Sequence, residues 1–416
     1  MTKKMRTQTK KTPQIPEQRN QGRHLVFAHI RNNHQSARID IANETGMSPA
    51  TITTITAELI AAGLIEEVDR VVEPGQSRRG RPRVDLKLRG DSHRVVGMKI
   101  TNRYVTAVIL DLEGNQLGKA QLPMPKPRLT RTEAQDLILK TVEEVAQSAG
   151  MKIEDLSSVG IGIPGTVYAE SGYIDWCPLF EETEFNLPEI LKDTLPVPTF
   201  VENDANAVAI AELWFGYGRD APDFLVVTIE QGVGLGIVID GKLYRGTQGS
   251  GAEFGHTKVQ LEGALCRCGQ RGCLEAYISD YALLREAELF SNWTTNADDE
   301  KRLIDLFNRA KSGDQTARSI FDRASRMFAM GLANLVNLFD PSLIILSGEQ
   351  MRFDYLYAQS VFDAVRASTI QRGHHAPVMR IHKWGDLMWA KGAAAHALEE
   401  SVRLSIDKLG SNDQSA

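Results

Sequence analysis

The strongest constraint on this 416-residue chain is an order of strands and helices that runs once from Arg94 and starts again at Phe224. In the first run, residues 94–100, 104–111 and 116–122 read as strands, with a turn at Glu113-Gly114. A helix over 131–149, strands over 157–163 and 199–202, and a helix over 204–215 follow. The second run has strands over 224–230, 235–240 and 242–245, several helices and a strand over 343–347. It ends with a helix over 355–370, a strand over 378–382 and a closing helix from Met388. Two successive units of this kind imply an internal duplication with mixed sheets. Duplicated lobes place a ligand cleft between them.

Ahead of the duplication lie three short helical segments. Residues 22–33 carry Leu25, Val26 and Ile30, and residues 36–45 open at Ser36 as an N-cap and stop at Gly46. The third opens with Ser48-Pro49, a cap followed by proline at the first helical position, and runs to about Ala62. Ile52, Ile55 and Leu59 form its inward stripe, leaving Ala50, Thr51, Thr53, Thr54 and Thr56 outward. A short helix, a turn and a helix with a small, hydroxyl-rich outer face is the helix-turn-helix pattern, able to reach base edges in a major groove. Strands over 64–68 and 84–88 flank a tip carrying Arg78, Arg79, Arg81 and Arg83 among glycine, serine and proline. Such a wing can lie in a minor groove. The candidate contacts to double-stranded DNA are Ser48, Ala50, Thr51, Thr53, Thr54 and those four arginines. A small three-helix bundle with a charged linker is the plainer alternative.

Charge agrees with this division. The chain's net −5 hides a basic head: Met1–Gly90 holds 16 Lys/Arg and 9 Asp/Glu, a net of +7, leaving −12 for the rest. Seven of the 16 cations precede His24, so a solvated basic arm over residues 1–20 accounts for part of it. With 42% hydrophobic and 24% charged residues the composition is that of a soluble globular protein. No apolar run reaches the roughly 18 residues that span a bilayer, and the start lacks a secretory signal, so membrane insertion is not expected and the cytoplasm is.

Three of the four cysteines crowd into Cys266-Arg-Cys268-Gly-Gln-Arg-Gly-Cys273, with His256 ten residues upstream. Three thiolates in a glycine-bearing loop point to a structural, tetrahedral Cys3His zinc site over a disulfide framework. Redox cysteines, or another fourth ligand, are the alternatives. Cys177 stands alone and reads as a buried apolar side chain.

Glu202-Asn203-Asp204-Ala205-Asn206 lies at a strand-to-helix junction, the end of a sheet where α/β proteins bind ligands. Adjacent Asp and Asn can accept from and donate to sugar hydroxyls; plain helix capping is the competing reading. Glu253, His256 and Glu275 flank the cysteine loop and add polyol-binding groups.

In order, Gly162-Ile-Pro-Gly165, Glu202–Asn206, Gly251-Ala-Glu-Phe-Gly-His256, Cys266-x-Cys268-x4-Cys273-Leu-Glu275 and Asn334–Pro341 resemble the motifs of the ROK family of repressors and sugar kinases. The resemblance covers about Arg94 to Val402. It implies an actin-like, hexokinase-like (ribonuclease H-like) α/β fold of two lobes, preceded by the α+β winged helix-turn-helix. Gly165, Asn203, Asp204, Glu253, His256 and Glu275 would contact a sugar, with Asp204 the base in a kinase, and His256, Cys266, Cys268 and Cys273 would hold zinc. The expected division is a basic arm (1–20), a DNA-binding domain (21–90), a first lobe (91–203, completed by a helix over 388–405), a second lobe (204–387, zinc loop 256–273) and a tail (406–416).

The departures decide the expected activity. Family kinases open the first lobe with an Asp and a Gly-Gly-Thr turn; here Lys99 replaces the acid and Thr101-Asn102 the glycines. Glu230-Gln231 stands where the kinases have Gly-Thr. A carboxylate about 4 Å from a triphosphate meets repulsion of about 4 kcal/mol at an effective dielectric near 20. The expectation is a homodimer, or dimer of dimers, that represses carbohydrate genes and answers to a sugar or sugar derivative without kinase activity. An active sugar kinase that binds DNA, and a regulator controlled by a partner protein, are the alternatives.

Overall fold

A computed structural model of the chain describes residues 15–69, 84–247, 249, 251–290, 298–370, 376–382 and 387–412. It divides into two compact units, one holding residues 1–94, 111–115 and 398–416, the other holding 95–110 and 116–397.

In the first unit, α1 (Ile15–Asn33), β1 (Ser36–Ala37), α2 (Arg38–Thr45), α3 (Pro49–Ala61), β2 (Ile65–Asp69) and β3 (Val84–Leu88) form a winged helix-turn-helix. The sheet order is β1-β3-β2, with β3 antiparallel to both neighbours. Val26, Phe27, Ile30, Ile41, Ile52, Ile55 and Leu59 make its core, whereas Leu25 lies exposed. The buried Arg23 donates from Nε to Glu58 Oε2 at 2.8 Å, tying α1 to α3. Two expectations change here. Residues 15–20, assigned to a flexible arm, begin α1. Ser36 does not cap a helix: its hydroxyl lies 2.8 Å from His29 Nε2 and its backbone pairs with Leu86, so α2 starts at Arg38.

The second unit is built on two five-stranded sheets. Strands β4 (Arg94–Ile100), β5 (Tyr104–Asp111), β6 (Gln116–Pro123), helix α4 (Arg131–Ser148) and β7 (Ser158–Ile163) lead to a small three-stranded sheet of β8 (Thr166–Tyr168), β9 (Tyr173–Trp176) and β10 (Phe185–Asn186). After α5 (Leu187–Leu191) come β11 (Thr199–Asn203) and α6 (Asp204–Phe215). The second sheet uses β12 (Phe224–Ile229), β13 (Val233–Ile239) and β14 (Lys242–Tyr244). Helices α7 (Glu275–Ile278), α8 (Asp280–Glu288), α9 (Asp299–Lys311) and α10 (Gln315–Phe339) intervene before β15 (Leu343–Ser347), α11 (Gln359–Ser368), β16 (Val378–Ile381) and α12 (Met388–Asn412).

The sheet orders are β11-β7-β4-β5-β6 and β14-β13-β12-β15-β16. Numbered within each half, both read 3-2-1-4-5 along the sheet, with strand 4 parallel to strands 1 and 5. The duplication expected from the sequence is thus present in the topology. Each half has its own apolar core, one built on α4 and the first sheet, the other on α10 and the second. The alanine-rich start of α12 packs directly on the first sheet, because a Cβ on Gly97 or Gly160 would meet the Ala390 or Ala393 carbonyl at 2.0 Å.

α12 also outruns the sequence reading. It continues to Asn412, and Ile406, assigned to a tail, is fully buried. Within the first unit, Asn20 Nδ2 donates to Asp407 Oδ1 at 2.8 Å. No helix among the described residues is long and apolar enough to cross a membrane.

Candidate functional site

The site lies where β11 ends and α6 begins. Asn203 has extended backbone and caps α6: its Oδ1 accepts from Ala205 N at 2.9 Å and Asn206 N at 3.3 Å. Its Nδ2 donates to the Gly165 carbonyl at 2.9 Å, which leaves one amide hydrogen for a ligand. The capping reading of Asn203 therefore describes what its oxygen does. Gly165 has φ +111°, and a Cβ there would meet Trp176 O at 2.2 Å, so glycine is required for the chain to turn into the cleft. Asp204, the first residue of α6, has its Oδ2 3.9 Å from Lys99 Nζ.

Facing Asp204 is Lys99, near the end of β4. Its Nζ lies 3.9 Å from Asp204 Oδ2, 3.0 Å from Glu230 Oε2 and 3.6 Å from the centre of the Trp389 ring. Glu230 follows β12 in the other half. Burial pushes its carboxyl up to about 8, against the pull of Lys99, with Glu349 and Asp204 adding to the rise. Its Oε1 is buried without a hydrogen-bond partner among the described residues. Two further contacts cross between the halves at this end: Gln231 Nε2 donates to Asn102 Oδ1 at 3.3 Å, and Arg103 meets Asp298 at 2.8 Å and Glu300 at 3.4 Å. Lys99 thus meets Glu230, and Asn102 meets Gln231, across the two halves.

His256, Cys266, Cys268 and Cys273 come together with their ligand atoms all within 4.8 Å of one another. Lys258 aligns with Cys273 and Leu265 with Arg271 as the loop folds back. His256 Nδ1 lies 3.7 Å from Cys266 Sγ, and Cys268 Sγ lies 3.7 Å from Cys273 Sγ. Tetrahedral zinc with bonds of about 2.3 Å to sulfur needs ligand separations of about 3.8 Å. The four residues fit such an ion and could hold a metal. His256 Nε2 faces away from the thiols, 3.9 Å from Glu253 Oε2. Glu275 starts α7 and is buried; it accepts from Val233 N at 3.3 Å and from the Tyr281 hydroxyl at 3.3 Å, and lies 3.6 Å from Cys266 Sγ. The lone Cys177 is buried, which pushes its thiol up to about 12.

Sequence reasoning missed several groups. Glu202 is fully buried; its Oε1 accepts from Asn203 N and Asn206 Nδ2 at 2.9 and 3.1 Å, and Arg245 binds its Oε2 at 2.7 Å. Lys258 Nζ donates to Cys273 Sγ at 2.9 Å and to Gln270 Oε1 at 2.6 Å. Neither contact leaves a periodic or motif signal.

In α3 of the other unit, Ser48, Ala50, Thr51, Thr53 and Thr54 are all exposed, and Ser48 Oγ accepts from Thr51 N at 3.1 Å. Thr56 does not face outward: it is fully buried, donating to Ile52 O at 2.8 Å and accepting from Arg38 Nε at 3.0 Å. Arg78, Arg79, Arg81 and Arg83 lie outside the described residues.

The ROK family profile matches residues 95–400. The chain belongs to the ROK family. This chain is 28% identical over 391 residues to the xylose repressor of Caldicellulosiruptor bescii, covering 91% of this chain and 95% of that one. The crystal structure of a ROK family transcriptional regulator, a homologue of the E. coli MLC protein, superposes with a TM-score of 0.76 at 26% identity, covering 94% and 99% of the two chains. The ROK hexokinase of Thermus thermophilus superposes with a TM-score of 0.63 at 30% identity, but its match covers 74% of this chain and 98% of its own. The match to the C. bescii repressor and that to the ROK regulator structure cover 91% and 94% of this chain, whereas the hexokinase leaves about a quarter unmatched.

Proposed function

We propose that this ROK protein is a sugar-responsive, DNA-binding transcription regulator, a repressor of carbohydrate uptake or breakdown genes, and not an enzyme. The observation that carries the reading is the Lys99–Glu230 pair, which occupies the end of the cleft where a kinase needs an acid for magnesium and open glycines for phosphate. A triphosphate there would meet Glu230 and Asp204 with one ammonium already engaged by both. Gly165, Asn203, Asp204, Glu253, His256 and Glu275 are left to bind a sugar or sugar derivative, and Asp204 acts as a hydroxyl acceptor with no phosphoryl transfer to serve.

The exposed face of α3, from Ser48 to Thr54, reads base edges, and the four wing arginines reach flanking minor grooves. A homodimer, or dimer of dimers, suits a pseudo-palindromic operator, and the cytoplasm is where such a site is met. Zinc held by His256, Cys266, Cys268 and Cys273 is structural: four protein ligands leave no open position, and the ion fixes the loop that carries His256 and Glu275. Sugar occupancy alters operator affinity only through its different affinity for the lobe arrangements.

The test is operator binding measured with and without a panel of sugars, beside an ATP and magnesium turnover assay. Sugar-dependent operator affinity without turnover supports the reading. Ordinary hexokinase rates would favour the second reading, a sugar kinase that also binds DNA, which rests on the retained Asp204.

A further inference from the structure

We infer that Lys99 and Glu230 set the chemical class of the effector: the cleft takes an uncharged or amino sugar and turns away its phosphate ester. This rests on the reading of the cleft as a sugar site. The pair stands beside Asp204, where a kinase would deliver phosphate. Lys99 Nζ is 3.0 Å from Glu230 and 3.9 Å from Asp204, and its charge lies over the Trp389 ring. Among the described residues Lys99 is the only cation ion-paired with either carboxylate.

The donor and acceptor arrangement matches a hydroxyl or an ammonium. A hydroxyl both donates and accepts, so it can give its proton to Asp204 or to the unpartnered Glu230 Oε1 and take one from Lys99. An ammonium has three donors and meets two carboxylates. A phosphate dianion offers acceptors alone at its terminal oxygens. It would compete with both carboxylates for one lysine, in a cleft to which Glu253 and Glu275 add further negative charge.

Isothermal titration of the full chain at pH 8.5, where Glu230 is ionised, tests this with matched ligands: glucose, N-acetylglucosamine and glucosamine against glucose 6-phosphate, N-acetylglucosamine 6-phosphate and glucosamine 6-phosphate. The expected result is binding by at least one neutral or amino sugar, with its ester about 100-fold weaker or silent. Equal or tighter binding of an ester overturns the inference and leaves the sugar reading intact. Failure of every sugar and every ester overturns both. The isosteric Glu230→Gln, titrated at pH 8.5, should narrow the preference for the neutral sugar over its ester about tenfold. An unmoved ratio in a folded variant would remove Glu230 from the discrimination.

Discussion

Lys99 Nζ and Glu230 Oε2 meet at 3.0 Å, joining the ends of β4 and β12, the two strands that occupy equivalent central positions in the duplicated halves. Two positions that each look like a lost phosphate contact are one hydrogen-bonded pair when the halves face each other.

The pair gives stability a pH signature. Glu230 has a folded-state carboxyl near 8, against an ordinary value near 4.5, so the folded chain holds that proton more tightly than the unfolded chain. The contribution is fully present below about 4.5 and is lost as pH rises toward 8. Compared with Glu230→Gln, the parent protein should lose melting temperature between pH 5 and 8.5. Parallel curves for the two proteins would contradict the assignment.

Metal analysis should find about one zinc per chain. Cys273→Ser should lose it and unfold at a temperature lower by several degrees, because four-ligand binding is coupled to folding of the loop. A metal-free protein with unchanged melting would argue that the cysteines serve another end.

Arg245→Ala should cost about 3 kcal/mol in denaturant unfolding, since it leaves the fully buried Glu202 without its cation. Adding Glu202→Gln should recover much of that loss. Independent, additive losses would show that the two side chains are not coupled.

Thr51→Ala and Thr54→Ala should weaken operator binding by about 1–3 kcal/mol each and leave the salt dependence unchanged, as expected for base contacts. Ser48→Ala should in addition cost about 1 kcal/mol of folding stability, read by denaturant unfolding, by removing the α3 cap. Fluorescence anisotropy across a salt series separates the two outcomes.

The duplicated topology was legible because strands and helices carry periodicity, and each half repeats the same order. The cysteine cluster was legible because its ligands sit on one loop with one histidine upstream. Side-chain partnerships between distant segments were not: Glu202 with Arg245 spans 43 residues and Lys99 with Glu230 spans 131. Thr56 misled for a related reason. On the helix pattern it belongs with its hydroxyl neighbours, but Arg38, 18 residues earlier, closes over it. The short strand at Ser36 was hidden because its pairing partner, Leu86, lies on the far side of the wing.

The bond from Asn20 to Asp407 and the burial of Ile406 mean that the DNA-reading module is assembled from both ends of the polypeptide. It cannot be excised with a single cut. A fragment stopping at Arg94 would uncover a wall of its own interior, and a protein clipped before Leu398 would carry that defect into its grip on an operator while its cysteine loop stayed whole.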